Sequence, residues 1–282
     1  MKFLCALLGF LPLTGFADYI GDRIAELEPD RKIVYKEVAG RELELHLFLP
    51  EGWSADDKRP CFHIIHGGGW RGMDPSRMYP FAADFAKRHG MVGISVQYRL
   101  YQPDESVTVF DCVRDARSSV RYVRSHPEKF GIDPDRIVVS GASAGGHLAA
   151  ATAMFDGVDE PGEDVSVSCR PNALILFFPV IDTSPEGYGQ KKIGEKWREL
   201  SPVDHVRADL PPTITFHGTG DTTTPFQGAK AFHNNMLAAG NRSELVVNDG
   251  GVHGYLIRTE DLYEEAIEAA AEFLRSLDLL EP

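Results

Sequence analysis

Cysteine is scarce, with four in 282 residues, too few for a fold stapled by disulfides. Long apolar runs are missing as well. The one near the start, Phe3 to Leu13, is well short of the roughly 20 residues that cross a bilayer. Basic residues are in deficit, 29 against 42 acidic, for a net charge of −13. A chain this acidic repels a phosphate backbone, so nucleic acid is excluded as a partner. H-E-x-x-H, paired C-x-x-C and P-loop patterns are all absent, and with them the usual signatures of a metal site or a bound nucleotide. The expected chemistry therefore uses neither metal nor cofactor. No internal repeat or low-complexity tract is visible. What remains is ordinary: 43% apolar and 25% charged residues, the composition of a folded globular chain and not of a disordered one or a multi-span membrane protein. The length allows one large domain or two small ones.

Residues 1–17, MKFLCALLGFLPLTGFA, place Lys2 before the apolar run and small residues, Gly15 and Ala17, at the −3 and −1 positions of a cleavage site. That is the pattern of a secretory leader. It predicts an exported chain, secreted or periplasmic, with no stable membrane anchor and a mature portion of 18–282. Removing Lys2 takes the charge from −13 to −14. It also leaves Cys61, Cys112 and Cys169, an odd number, so at most one pair bridges.

Period-two alternation at Leu43, Leu45, Leu47 and Leu49 predicts a half-buried strand near a sheet edge. Short apolar runs follow at 61–66, 91–96, 137–140, 174–178, 213–216 and 245–247. They read as central strands of a parallel sheet, buried on both faces. Helical spacing lies between them, at Phe81 and Phe85, at Val109 through Val123, after Ser143, at Phe232 and Met236, and from Leu262 to Leu277. The alternation predicts an α/β fold with helices on both faces of a mostly parallel sheet, and a serine, an acid and a histidine spread over loops of that one sheet make 18–282 a single domain. Residues 181–212, rich in Pro, Gly and charge, interrupt it and read as an insertion capping a site.

Chemistry concentrates in three places. Gly141-Ala142-Ser143-Ala144-Gly145 is a G-x-S-x-G motif between a strand and a helix, the context that puts a serine hydroxyl on a strained turn at the edge of a sheet. His66-Gly67-Gly68-Gly69-Trp70 follows the 61–66 strand. Three glycines in a row carry an entropic cost unless the backbone itself has work to do, here aiming N–H groups into a cavity. Gly68 and Gly69, with Ala144, are candidates for an oxyanion hole. A hydroxyl nucleophile needs a base and an orienting carboxylate. His253, on a glycine-rich loop before the last helix, is the preferred base. Asp221, just past the 213–216 strand, is the preferred acid, with Asp182 as runner-up and Asp249 too near His253 in sequence. His147, one turn into the helix after Ser143, reads as a packing residue. Trp70, Tyr188 and Trp197 are candidates for lining a substrate site, with ordinary packing as the alternative for each.

These motifs resemble the α/β-hydrolases related to hormone-sensitive lipase: HGGGW, G-x-S-A-G-G, and the late His253-Gly254-Tyr255. Two stretches resemble more closely the acetylxylan and feruloyl esterase-like group. They are Phe130–Ile137 running into the serine motif, and Ser201–Val206 followed by Pro211-Pro212 and His217–Asp221. The similarity covers roughly residues 40–275. It implies an α/β-hydrolase fold, Ser143, Asp221 and His253 as a triad, and an ester substrate of short-chain or carbohydrate-linked acyl type. The same acyl chemistry serves amides, so an amidase or peptidase, arylformamidase-like, is the alternative, and a non-catalytic binding protein of this fold a third. Three departures stand out. Ala142 occupies the position where the lipase relatives usually have Asp. Only about two dozen residues separate the expected cut from the first clear strand, where the lipase relatives carry a long helical cap, so any cap is expected mainly from 181–212. The acid loop reads Asp221-Thr222-Thr223-Thr224-Pro225 where the esterase group often has D-x-x-V-P.

Overall fold

The structure, a computed structural model, describes residues 19–104 and 106–281. The expected leader and Cys5 lie outside the described residues. Eight strands form one sheet in the order β1-β2-β4-β3-β5-β6-β7-β8. They are β1 (Arg31–Val38), β2 (Arg41–Phe48), β3 (Arg59–Ile65), β4 (Val92–Val96), β5 (Ile132–Ala142), β6 (Ala173–Phe177), β7 (Thr213–Gly218) and β8 (Ser243–Asn248). β2 runs antiparallel to β1 and β4, and every other pairing is parallel. The helices are α1 (Tyr19–Ile24), α2 (Tyr79–His89), α3 (Val109–Ser125), α4 (Pro127–Phe130), α5 (Ala144–Met154), α6 (Gln190–Ile193), α7 (Phe226–Ala238) and α8 (Glu260–Arg275). This is the α/β architecture expected from the alternation.

Alternate residues of each inner strand serve opposite faces of the sheet. On β3, Cys61 and Ile65 pack with Val113 of α3 and Leu148 of α5. Phe62 and Ile64 pack with Phe85 of α2 and Ile267 of α8, and the rings of Phe62 and Phe85 stack at 3.8 Å between centroids. α2 sits so close to β4 that a Cβ on Gly93 would stand 2.1 Å from the Ala82 carbonyl oxygen, which excludes any side chain there. α3 begins with a capping box in which Thr108 and Asp111 each bond the other's backbone N–H.

Two details differ from the sequence reading. β1 is not anticipated by it, because only Tyr35 of its eight residues is buried and its period-two signal is faint. Its turn explains it: Ala39 and Gly40, both at positive φ (51° and 71°), form the two-residue connection whose twist matches a hairpin. The run at 245–247 is not a central strand. It belongs to β8, at the sheet edge, where Val246 and Val247 are 37% and 48% exposed. Cys61, Cys112 and Cys169 are all buried and free.

Residues 181–212 join β6 to β7 through α6 and two 3₁₀ segments, Gly194–Leu200 and Pro202–His205. The Val203 N–H donates to the Ile181 carbonyl at 3.1 Å, so the connection folds back on its own start. No helix among the described residues is long and apolar enough to cross a membrane.

Candidate active site

The parallel strands end together, and four of their loops supply the candidate residues. β5 runs out at Ala142 and α5 begins at Ala144, leaving Ser143 alone on the turn with φ 56° and ψ −120°. A non-glycine residue there is strained, and the surroundings must hold it. They do so through the backbone. The Ser143 N–H donates to the Phe177 carbonyl at 2.9 Å, and its carbonyl accepts from Val180 at 3.0 Å and His147 at 3.2 Å. Close approach explains the glycine that follows in the motif: a Cβ on Gly145 would lie 2.0 Å from the Ile65 carbonyl oxygen.

The loop after β8 brings His253 to this turn. Its Nε2 lies 2.9 Å from Ser143 Oγ and its Nδ1 2.7 Å from Asp221 Oδ2. Phe178 packs its ring against the imidazole edge-on, with 5.1 Å between centroids. Asp221 is almost completely buried. Its Oδ1 accepts the N–H groups of Thr223 at 2.8 Å and Thr224 at 2.9 Å, and the Thr224 hydroxyl donates to Oδ2 at 2.8 Å. Burial alone would raise this carboxyl, but hydrogen bonding from His217 and His253 and from the Thr224 N–H outweighs it and holds the group well below the usual carboxylate range. The carboxylate is thus ionised wherever the chain is folded and working.

Gly67, Gly68 and Gly69 border the same cavity as Ser143 and His253. Gly68 and Gly69 adopt φ 95° and 61°. The loop is tied down from behind: the Tyr98 hydroxyl donates to the carbonyls of His66 and Gly67, each at 3.1 Å. From the 181–212 segment, Lys192 Nζ donates to the Gly69 carbonyl at 3.0 Å and to the Tyr188 hydroxyl at 2.8 Å. Ala144 is fully buried at the first position of α5. The cavity holds about 460 Å³, with an apolar wall that includes Met73, Met78, Phe178 and Ile257.

The structure therefore brings together Ser143, Asp221, His253, Gly68, Gly69 and, at the cavity wall, Tyr188. It does not bring Trp70 there. Trp70 is 0% exposed, because the left-handed turn at Gly69 and Trp70 (φ 61° at both) sends its ring inward onto His147, 5.0 Å away between centroids. Trp197 is half-buried in a 3₁₀ turn, its ring under Arg198, and does not border the cavity either. The rival acid Asp182 caps the N–H of Ser184 at 2.8 Å, and Asp249 accepts from Thr219 at 2.9 Å. His147 is buried, and its Nε2 donates to the Leu200 carbonyl at 2.8 Å. The sequence reading misses Thr224, Tyr98 and His217. For Thr224 a signal exists, since it stands where the resemblance leads one to expect valine. For the other two there is none, because their roles depend on which loops meet.

Comparison with known proteins assigns the chain to a family. The profile of the BD-FAE family matches residues 45–236. The chain belongs to that family. The BD-FAE member is 41% identical to esterase 2 of Thermogutta terrifontis, with a TM-score of 0.84 over 89% of this chain and 96% of that one. That esterase has been solved with propionate bound, with butyrate bound and phosphorylated by paraoxon. Among curated proteins, a probable isoprenylcysteine alpha-carbonyl methylesterase of Arabidopsis thaliana is 28% identical over 79% of this chain and 50% of its own length. An acetylxylan esterase of Xylanibacter ruminicola is 26% identical over 82% of this chain and 47% of its own. The chain spans about half the length of the curated relatives it matches. The BD-FAE member thus stands among carboxylic ester hydrolases of the α/β-hydrolase fold.

Proposed function

We propose that the protein is a serine carboxylesterase that hydrolyses short-chain acyl esters, including acyl groups on carbohydrate, through an acyl-enzyme. The observation that carries this reading is the chain of two hydrogen bonds from Ser143 through His253 to Asp221, at 2.9 and 2.7 Å. His253 takes the Ser143 proton at Nε2 as the oxygen attacks the ester carbonyl. Asp221 fixes the imidazole with its proton on Nδ1 and offsets the positive charge that develops. The N–H groups of Gly68, Gly69 and Ala144 receive the oxyanion, each worth about 3–4 kcal/mol of transition-state stabilisation. His253 then protonates the leaving alkoxide, and water repeats the sequence to release the acid. An apolar wall of Met73, Met78, Phe178 and Ile257 in a cavity of about 460 Å³ favours a small aliphatic acyl group, in keeping with the propionate and butyrate that bind the Thermogutta esterase.

The leader-like residues 1–17 support export, and N-terminal sequencing of the protein from an expressing host's medium or periplasm tests it by locating the cut. For the chemistry, Ser143→Ala is expected to lower turnover of p-nitrophenyl acetate by at least about 10³-fold, because the triad acts as a unit. Near-parental turnover would overturn the assignment. Acyl chains of increasing length, acetylated xylan and methyl ferulate, assayed beside matching amides, then place the substrate.

A further inference from the structure

Thr224 touches both members of the acid–histidine pair. It is 3% exposed and lies at the end of the acid loop, between β7 and α7. Its hydroxyl oxygen is 2.8 Å from Asp221 Oδ2 and 3.2 Å from His253 Nδ1. Its N–H donates to Asp221 Oδ1 at 2.9 Å, and its carbonyl lies 2.7 Å from His217 Nε2. One residue therefore engages both carboxylate oxygens and stands beside both imidazoles.

We propose that Thr224 is a positioning residue of the active site, whose hydroxyl shares Asp221 Oδ2 with His253 and so moderates the pull of the carboxylate on the imidazolium. The inference rests on Ser143, His253 and Asp221 acting as the catalytic chain. Two donors on one oxygen divide its charge. With Thr224 in place, His253 faces a carboxylate whose Oδ2 is already committed to a hydroxyl, so the imidazolium gains less from it. The same bond stops the carboxylate from rotating away from Nδ1, since both of its oxygens are held by the loop.

The other groups around the pair touch it less directly. His217, on β7, has Nε2 at 2.7 Å from the Thr224 carbonyl and at 3.4 Å from Asp221 Oδ2, so it adds a longer contact to that oxygen and does not reach the His253 ring. Arg258, just before α8, reaches the His253 carbonyl at 3.4 Å and not the ring. Ser143, at the start of α5, meets Nε2 on the far side of the imidazole, and Phe178, after β6, offers an uncharged ring.

Thr224→Val keeps the shape and removes the hydroxyl. The measurement is kcat and KM for p-nitrophenyl acetate across roughly pH 5 to 9, with paraoxon titration counting competent sites in each preparation. The valine variant is expected to move the acid limb of kcat/KM up by about 0.5–1 pH unit and to lower plateau kcat by about 3–10-fold at nearly constant KM. Thr224→Ser is expected to bring both back toward the parent. A limb that stays within about 0.2 unit in the valine variant, or a serine variant that behaves like valine, overturns the proposal. If the valine chain does not fold, Thr224→Ala is read on the same limb with the same two outcomes. The Ser143→Ala result is separate: retained turnover there removes the triad reading, whatever Thr224 does.

Discussion

The turn at Ser143 and the 181–212 segment border one cavity but are built by different rules. Around Ser143 the backbone is in contact on all sides, its N–H and carbonyl are both engaged, and Gly145 has no room for a single added carbon. In the 181–212 segment the one α-helix is four residues long, Gly194 has open space where a Cβ would stand, and Tyr188 and Trp197 are only half-buried. The serine turn is thus held by main-chain contacts that tolerate no extra atom, whereas the 181–212 side chains at the cavity stand in looser surroundings. On the proposed function, substitution in that segment changes fit more than fold.

That contrast is easiest to break at Gly145. Gly145→Ala puts a carbon 2.0 Å from the Ile65 carbonyl oxygen, and a backbone atom cannot swing aside. We expect loss of folded protein, or about 10²-fold or more of activity in what folds, because roughly 1–3 kcal/mol of overpacking falls on the turn that carries Ser143, the proposed nucleophile. Normal expression with normal turnover would show that the turn is softer than its contacts imply.

Acid offers a second, intermediate test. His63, His66 and His147 all lie at or beneath the serine turn and its glycine loop, and burial lowers them from the ordinary 6.5 to about 3, 4 and 4 respectively. Arg124 adds to the effect at His63, whereas the Gly67 and Leu200 carbonyls oppose it at His66 and His147. The fold holds them neutral, while the unfolded chain takes up protons below 6.5. Their contribution is therefore complete above that pH and is lost as pH falls toward 4. Urea midpoints are expected to drop steadily over that window, with a slope approaching three protons. A flat profile would mean that water reaches these rings.

The smallest effects belong to the 181–212 segment. Tyr188→Ala is expected to change KM by about 3–10-fold with little effect on stability, and Trp197→Ala to change KM less than about 2-fold. A large kcat loss in either would place the segment with the chemistry and erase the contrast.

The same division decides what is legible in the sequence. Compulsory glycines leave a visible trace, so Gly141–Gly145, the 67–69 run and the loop of His253 point to the site, and Ser143, Asp221 and His253 meet as their order suggests. The six apolar runs and the helical spacings between them locate most of the sheet. What depends on the direction of a turn does not show: Trp70 looks like a site residue until the left-handed backbone buries it. β1 lacks a strong pattern of its own and exists because a hairpin turn presents it to β2. Thr224 reads as one more turn-forming threonine, and only the meeting of two loops reveals what its hydroxyl touches.

The positive φ of Ser143 also bears on which residues can ever occupy that position by drift. Threonine offers the same hydroxyl, yet its branched Cβ is a poor fit to left-handed backbone. Cysteine, unbranched, bears no more strain there than serine does. The conformation of the turn thus narrows which side chains can stand there, and leaves a thiol, not a secondary alcohol, as the accessible neighbour of the serine.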